Sequence, residues 1–165
     1  MYKRFYVNKR PRKTPVFQPS PREYDFLKNW RVVRYYIQSR YDLSVSELDM
    51  ILYLYDEPVF DKELFNDFAN SMSWDKNRFT EMTEKGLFRI WRTGVKGRER
   101  RLYELTPKSK RICSHTYKKL LGLELISEDP YRNKIMKGEN YMDKIYKNLI
   151  RKMNNKTTED SHNDE

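Results

Sequence analysis

The chain has almost no cysteine or histidine, and this scarcity excludes several chemistries. Cys113 is the single cysteine, so no internal disulfide can form and a reducing compartment is expected. Only His115 and His162 accompany it, and the three do not have the spacing of zinc ligands. A glycine-rich phosphate loop and a serine nucleophile elbow are also missing. We therefore expect no metal, no cofactor and no enzymatic activity.

Long apolar runs are absent as well. No stretch of about 18 or more apolar residues occurs, which argues against a membrane-spanning helix. The first residues, MYKRFYVNKRPRK, lack the apolar stretch and the cleavage site of a signal peptide. The expected location is the cytoplasm, and association with a virus particle is the alternative.

Positive charge is what the sequence has in excess. The 165 residues contain 34 Lys and Arg against 24 Asp and Glu, a formal net charge of +10. This balance favours a polyanionic partner such as nucleic acid, although a basic protein without such a partner is the plainer interpretation. The length suits one domain with extensions.

Composition divides the chain into three parts. Residues 1–21 combine four prolines with six Lys and Arg and no acid, which predicts an extended basic arm. Residues 22–153 carry helical and strand patterns and form the expected domain. Residues 154–165 are polar and are expected to be a disordered tail.

Four helices are predicted in the first half of the domain. Apolar spacing indicates a helix over about 22–41, and a capping box at Ser44 and Glu47 opens a second helix that ends before Pro58. Asp61 caps a third helix that runs to Met72. Ser73 caps a fourth, Trp74 to Lys85, which ends at Gly86. The close succession of the last two is typical of a helix-turn-helix.

The pattern then changes to a β-hairpin. Strand-forming residues fill a short run at 87–91, apolar residues alternate in another at 102–105, and Gly94 and Gly97 mark the turn between them. Thr106 and Pro107 open a fifth helix through about Leu121. A last helix, over about 131–153, carries three apolar residues on one face and ends near Met153. These three are Tyr141, Ile145 and Leu149.

This order of elements is that of a winged helix, and residues 44–121 resemble the MarR family of winged-helix transcriptional regulators. The resemblance is carried by ILYLY at 51–55, KEL at 62–64, MTEKGL at 82–87 and LTPKSK at 105–110. It implies a mostly α-helical fold with a small β-hairpin wing. It also implies a homodimer built from the flanking helices, about 22–41 and 131–153, that regulates transcription from double-stranded DNA.

In the resembled family, a small-molecule effector often binds between the dimer and DNA-binding lobes. Four aromatic residues are candidates for lining such a cleft, with packing in the core as the alternative. They are Trp30, Tyr35, Tyr36 and Tyr53.

The residues expected to contact DNA lie on the fourth helix and the hairpin. A helix of about 12 residues fits the major groove, where Asn pairs with adenine and Arg with guanine, and a cationic hairpin reaches the backbone or minor groove. Solvated surface residues are the plainer interpretation of the same positions. The candidates are Ser73, Trp74, Lys76, Asn77, Arg78, Thr80, Arg92, Thr93, Lys96, Arg98, Arg100 and Arg101. Lys9, Arg10, Arg12 and Lys13 of the arm are candidates for a minor-groove contact, for binding a protein or for exchange onto a second protomer.

A structural or adaptor protein is the alternative function. It would keep the winged-helix shape but bind a protein, or hold nucleic acid without reading its sequence, in an assembly such as a phage particle. Three features favour it: Gly97 and Glu99 in place of the family's Asp and Arg in the wing, the neutral fourth helix, and the long proline-rich arm. An acidic group at 56–67 suggests either a metal site or helix caps and solvated faces, and the latter is preferred. Trp74 is either a core-edge aromatic or a stacking residue, and Cys113 is expected to pack as a small apolar residue.

Overall fold

The computed structural model describes residues 26–71, 77–94 and 100–162, and the basic arm predicted for 1–21 lies outside these ranges. The described chain is mostly helical and contains one small antiparallel sheet. Its helices are α1 (Phe26–Tyr41), α2 (Val45–Tyr53), α3 (Lys62–Ser71), α4 (Arg78–Glu84), α5 (Pro107–Leu120), α6 (Lys134–Lys137) and α7 (Tyr141–His162), and its strands are β1 (Phe88–Arg92) and β2 (Leu102–Leu105). Within the described residues, every helix is too short or too polar to cross a bilayer.

Side-chain caps fix the starts of three helices where the sequence predicts them. Ser44 Oγ accepts a hydrogen bond from the Glu47 amide at 3.2 Å, and the Glu47 carboxylate accepts one from the Ser44 amide at 2.8 Å. Asp61 accepts from the Leu64 amide at 2.9 Å at the start of α3, and Thr106 caps α5. Each cap satisfies an amide that the helix itself leaves unpaired, so these short polar residues determine where the helices begin.

The core forms around α1, which packs against α2, α5, α6 and α7. Val33 and Ile37 are completely buried, as the apolar spacing of this helix predicts. The Tyr35 ring stacks on Tyr146 of α7 with 3.8 Å between the ring centres. Cys113 of α5 is fully buried, as expected of a small apolar residue, and its thiol donates to the Ile51 carbonyl at 3.3 Å. Burial raises the pKa of the Cys113 thiol to about 12.

The single helix predicted over 131–153 is wrong, because the chain forms two helices there. Asn133 caps α6 by accepting from the Ile135 amide at 3.1 Å, and Asn140 caps α7 by accepting from the Asp143 amide at 2.7 Å. Gly138 lies between them in an extended conformation. A Cβ atom there would overlap the carboxylate of Asp143, so a larger residue would require that side chain to shift.

Helix α7 also differs from its prediction in length and in the face that it buries. It runs to His162, so a disordered tail beginning at residue 154 is not what the structure shows. Once a helix is nucleated each added residue costs little, which allows it to continue into polar sequence. The buried face consists of Tyr146, Ile150 and Met153, whereas Tyr141 and Leu149 of the predicted stripe are 77% and 37% exposed.

Candidate nucleic-acid interface

A cluster of five aromatic rings joins α3, α4 and the hairpin. Phe79 of α4 lies 4.9 Å from Phe65 of α3 and 4.8 Å from Tyr103 of β2, measured between ring centres. Phe88 of β1 lies 5.1 Å from Phe60, which precedes α3. All five side chains are buried or nearly so, and most of the pairs have the edge-to-face geometry that aromatic rings prefer. This aromatic cluster holds helix and hairpin in one fixed arrangement.

Phe60 also extends the sheet. Its amide donates to the Tyr103 carbonyl at 2.9 Å, and the Tyr103 amide donates back at 2.8 Å. The bridge lies on the side of β2 away from β1, so β2 is the central element and β1 is an edge strand. A single bridging residue has no alternating pattern, which is why the sequence did not reveal it.

The end of α4 is fixed by a glycine and a salt bridge. Gly86 adopts φ +70°, and the Leu87 amide donates to the Met82 carbonyl at 2.9 Å, which is the predicted left-handed helix stop. Beside it, Lys85 Nζ lies 2.6 Å from the buried carboxylate of Glu47, which also caps α2. Helix α4 is therefore tied to α2 as well as to the hairpin.

Helix α4 is shorter than predicted. It begins at Arg78 rather than Trp74, because its hydrogen bonds start at the Asn77 carbonyl, which accepts from Thr80 and Glu81. The described part of α3 ends at Ser71, and residues 72–76, over which the close connection to the fourth helix is predicted, lie outside the described residues. Of the residues between the two helices, the structure describes only Asn77.

The exposed side of α4 carries three of the predicted contact residues. Asn77, Arg78 and Thr80 are exposed, whereas Phe79 faces the core. Arg78 pairs with Glu81 at 3.0 Å. Since the cations Arg78 and Lys85 are matched by Glu81 and Glu84, this face has little net attraction for phosphate.

Four of the hairpin candidates lie within the described residues. Arg92, Thr93 and Arg101 are exposed. Arg100 is exposed too, but its guanidinium lies 3.0 Å from Asp61 and also pairs with Glu63, so its charge is matched by acids of the same chain. The Leu64 amide and Arg100 together hold the pKa of Asp61 below its usual value. The acidic residues at the start of α3 thus serve as a cap and as ion-pair partners.

The remaining predicted contacts are outside the described residues. They are Ser73, Trp74, Lys76, Lys96, Arg98 and, in the arm, Lys9, Arg10, Arg12 and Lys13. The two alternatives for Trp74 therefore both stay predictions. Among the described residues, no group of three His, Cys, Asp or Glu side chains could hold a metal ion.

An exposed apolar pair on β1 was not among the predicted site residues. Ile90 and Trp91 are 49% and 54% exposed, and Trp91 is a β-bulge, since Ile90 pairs with Tyr103 while Arg92 pairs with the adjacent Leu102. The short run of strand-forming residues at 87–91 predicted the strand. It could not predict which residue would be left out of the register.

An apolar cleft lies between the start of α1, α2 and the end of α5. Its volume is about 290 Å³. Of the four aromatic residues proposed to line a cleft, only Trp30 lines this one, because Tyr35 stacks on Tyr146, Tyr36 is buried and Tyr53 stacks on Phe68. The other lining side chains are Phe26, Leu27, Leu52, Thr116, Tyr117 and Leu120.

Comparison with known proteins finds no matching family model, no similar curated protein and no similar solved structure. Functional arguments therefore rest on the geometry and charge of this chain.

Proposed function

We propose that the chain is a winged-helix DNA-binding protein that binds duplex DNA as a homodimer and regulates transcription. Helix α4 would enter the major groove, and the hairpin would contact the adjacent backbone or minor groove. The aromatic cluster carries this proposal, because it makes α4 and the hairpin a single unit with polar and cationic residues on its exposed side.

The short helix α4 is compatible with this role. In helix-turn-helix proteins, residues near the start of the second helix contact the base edges. Asn77, Arg78 and Thr80 all lie at the start of α4 and are exposed. Asn and Arg are the side chains that pair bidentately with adenine and guanine.

Electrostatic attraction must come mainly from the hairpin and the arm, since α4 is nearly neutral. Six to eight phosphate contacts would lower the affinity by about three or more decades from low to moderately high salt. Fluorescence anisotropy of a labelled 30-base-pair duplex over a salt series tests this. The slope of the logarithm of the affinity against the logarithm of the salt concentration gives the number of ions released. A slope that corresponds to about two ions or fewer would overturn the proposal. Arg101→Ala should reduce the slope by about one. Arg100→Ala, whose charge Asp61 and Glu63 already match, should reduce it less.

Exposed apolar residues support the homodimer. Tyr141 and Leu149 of α7 and Leu27 of α1 are exposed on the two helices expected to form the dimer interface. A symmetric dimer would place two α4 helices on half-sites about one helical turn apart. Selection of bound duplexes from a random library should therefore yield palindromes with that spacing.

A small apolar effector is part of the same proposal. The cleft that Trp30 lines is apolar and lies between helices, where ligand pockets are often found. A compound that changes Trp30 fluorescence should also change DNA affinity. Trp30→Phe should abolish the spectral response, and a compound that binds there without altering DNA affinity would argue against an effector.

An adaptor protein is the second candidate, and two observations favour it. The face of α4 is nearly neutral, and acids of α3 neutralise Arg100. Competition between the selected duplex and random DNA separates the two functions. A preference of about a thousandfold supports a regulator, and a ratio near one supports an adaptor that holds DNA without reading it.

A further inference from the structure

The outer side of the edge strand β1 presents an indole to solvent. Trp91 is 54% exposed, and its neighbour Ile90 is 49% exposed. Tryptophan is a large apolar side chain that usually packs within a protein or an interface. Among the described residues, Trp91 stacks on no other ring. About half of the Trp91 side chain is therefore accessible to a binding partner.

The bulge explains how the side chain is displayed. Ile90 and Arg92 oppose Tyr103 and Leu102, two adjacent residues of β2, so Trp91 has no partner in the ladder. A bulge twists the strand and re-aims the extra side chain. The residues before and after Trp91 remain paired with β2, so the strand holds the bulge in position.

The surroundings of Trp91 are cationic. Arg89 and Arg92 lie on the same strand and both are exposed. Arg89 shares Glu104 with Lys110, at 2.7 Å and 3.6 Å, so this single carboxylate is matched by two cations. An apolar ring among cations complements the stacked bases and phosphates of a nucleic acid.

We infer that Trp91 is a base-stacking residue that inserts beside an unstacked base, while the excess of positive charge around it attracts the phosphates. This inference rests on the proposed binding of DNA and adds the kind of DNA site that the hairpin prefers. Apolar side chains that enter a duplex must unstack a base step at a cost of a few kcal/mol. A duplex that already contains unpaired bases avoids that cost. Trp91 should therefore favour locally unpaired DNA.

The test compares two labelled probes, a 30-base-pair duplex and the same duplex with a central two-nucleotide bulge. Wild-type protein should bind the bulged probe about tenfold or more tightly, because the base step is already open. Trp91→Ala should weaken binding to the bulged probe by about 5- to 150-fold and abolish the preference, since stacking is lost. Trp91→Phe should retain most of the preference.

Two control variants separate the loss of stacking from the loss of an aromatic ring elsewhere and from the loss of a positive charge. Tyr131→Ala removes a fully exposed aromatic ring from the connection between α5 and α6, and should leave both affinities unchanged. Arg101→Ala should weaken binding to both probes by the same factor and reduce the salt dependence of the affinity. Trp91→Ala should leave that salt dependence unchanged.

The outcomes separate the inference from the proposed function. If wild-type protein binds both probes equally, with a steep salt slope that Arg101→Ala reduces, DNA binding stands and stacking by Trp91 is wrong. An unchanged affinity in Trp91→Ala would also show that Trp91 does not stack on bases. The exposed indole would then be assigned to a contact with a protein partner. If neither probe binds at low salt, the proposed function and this inference both fail.

Discussion

Glycine is favoured at two positions of this fold for different physical reasons, and alanine substitutions separate them. At Gly138 an added Cβ would overlap the carboxylate of Asp143, which accepts a hydrogen bond from Tyr35. At Gly86 an added Cβ meets nothing within 4 Å, but the residue has φ +70°. Gly138→Ala should cost about 1–3 kcal/mol through overpacking, and Gly86→Ala about 1–2 kcal/mol through backbone strain.

A double-mutant cycle in urea checks the two causes. Adding Asp143→Ala removes the group that the new methyl meets at position 138, so the two changes should cost less together than their sum. Combined with Gly86→Ala, the same substitution should be additive. Additivity at both glycines would contradict the predicted clash.

The carboxylate of Glu47 should make stability depend on pH. Burial raises its pKa, but hydrogen bonds from Lys85 and Ser44 outweigh burial, and the net pKa is below the usual value. A depressed pKa means that the stabilisation is complete above the unfolded-state pKa, near 4.5, and is lost as pH falls through the folded-state value. Glu47→Gln keeps a capping side chain but removes the charge. It should cost about 1–3 kcal/mol at pH 7, and the difference from wild type should vanish in acid.

Urea midpoints measured from pH 7 down to pH 3 test this, with Lys85→Met as the matched variant. Lys85→Met removes the partner and leaves the buried carboxylate, so its deficit should also shrink as Glu47 becomes protonated. If Glu47→Gln lowered the free energy of unfolding by the same amount at every pH, the shape of the side chain, and not its charge, would matter at this site.

At the scale of elements, the aromatic cluster should couple α4 to the hairpin. Phe79→Ala removes the ring that contacts both Phe65 and Tyr103, and should cost about 3–5 kcal/mol. The control, Tyr53→Ala, removes a half-exposed ring stacked on Phe68 and should cost about 1 kcal/mol. Hydrogen exchange should show early loss of protection at the amides of Gly86 and Leu87 in Phe79→Ala. Uniform loss over all helices would instead mean that the domain unfolds as one unit.

Local chemistry determines how far these elements could be predicted. Ser44, Asp61, Thr106 and Gly86 act within four residues of themselves, so the sequence predicted the helix ends that they fix. Non-local contacts were missed, including the Phe60–Tyr103 bridge and the pairing of Arg100 with Asp61, which join residues about 40 apart in the chain.

The candidate site was predicted only in part for the same reason. Side-chain type and spacing identified Asn77, Arg78 and Thr80, which the structure places on the exposed side of α4. The length of α4, the matched charge of Arg100 and the exposed Trp91 depend on tertiary packing. On α7, the two apolar stripes compete in the sequence, and only packing against α1 decides that Tyr146 and Ile150 are buried.

At the scale of the whole molecule, the exposed stripe on α7 makes the homodimer testable. Leu149→Asp places a charge in the expected interface and should convert a micromolar dimer to a monomer in analytical ultracentrifugation, without changing the circular dichroism spectrum. Asn148→Asp, an exposed position beside it, should leave the dimer intact. A wild-type protein that sediments as a monomer would remove the dimer from the proposal.

The position of Cys113 has a practical consequence for following such changes. Its thiol is the only one in the chain and is buried between α5 and α2, and its high pKa keeps it protonated near neutral pH. Alkylating reagents should modify it only when these helices separate. The rate of modification, read by mass spectrometry, would measure opening of the core in the unmodified protein without any engineered label.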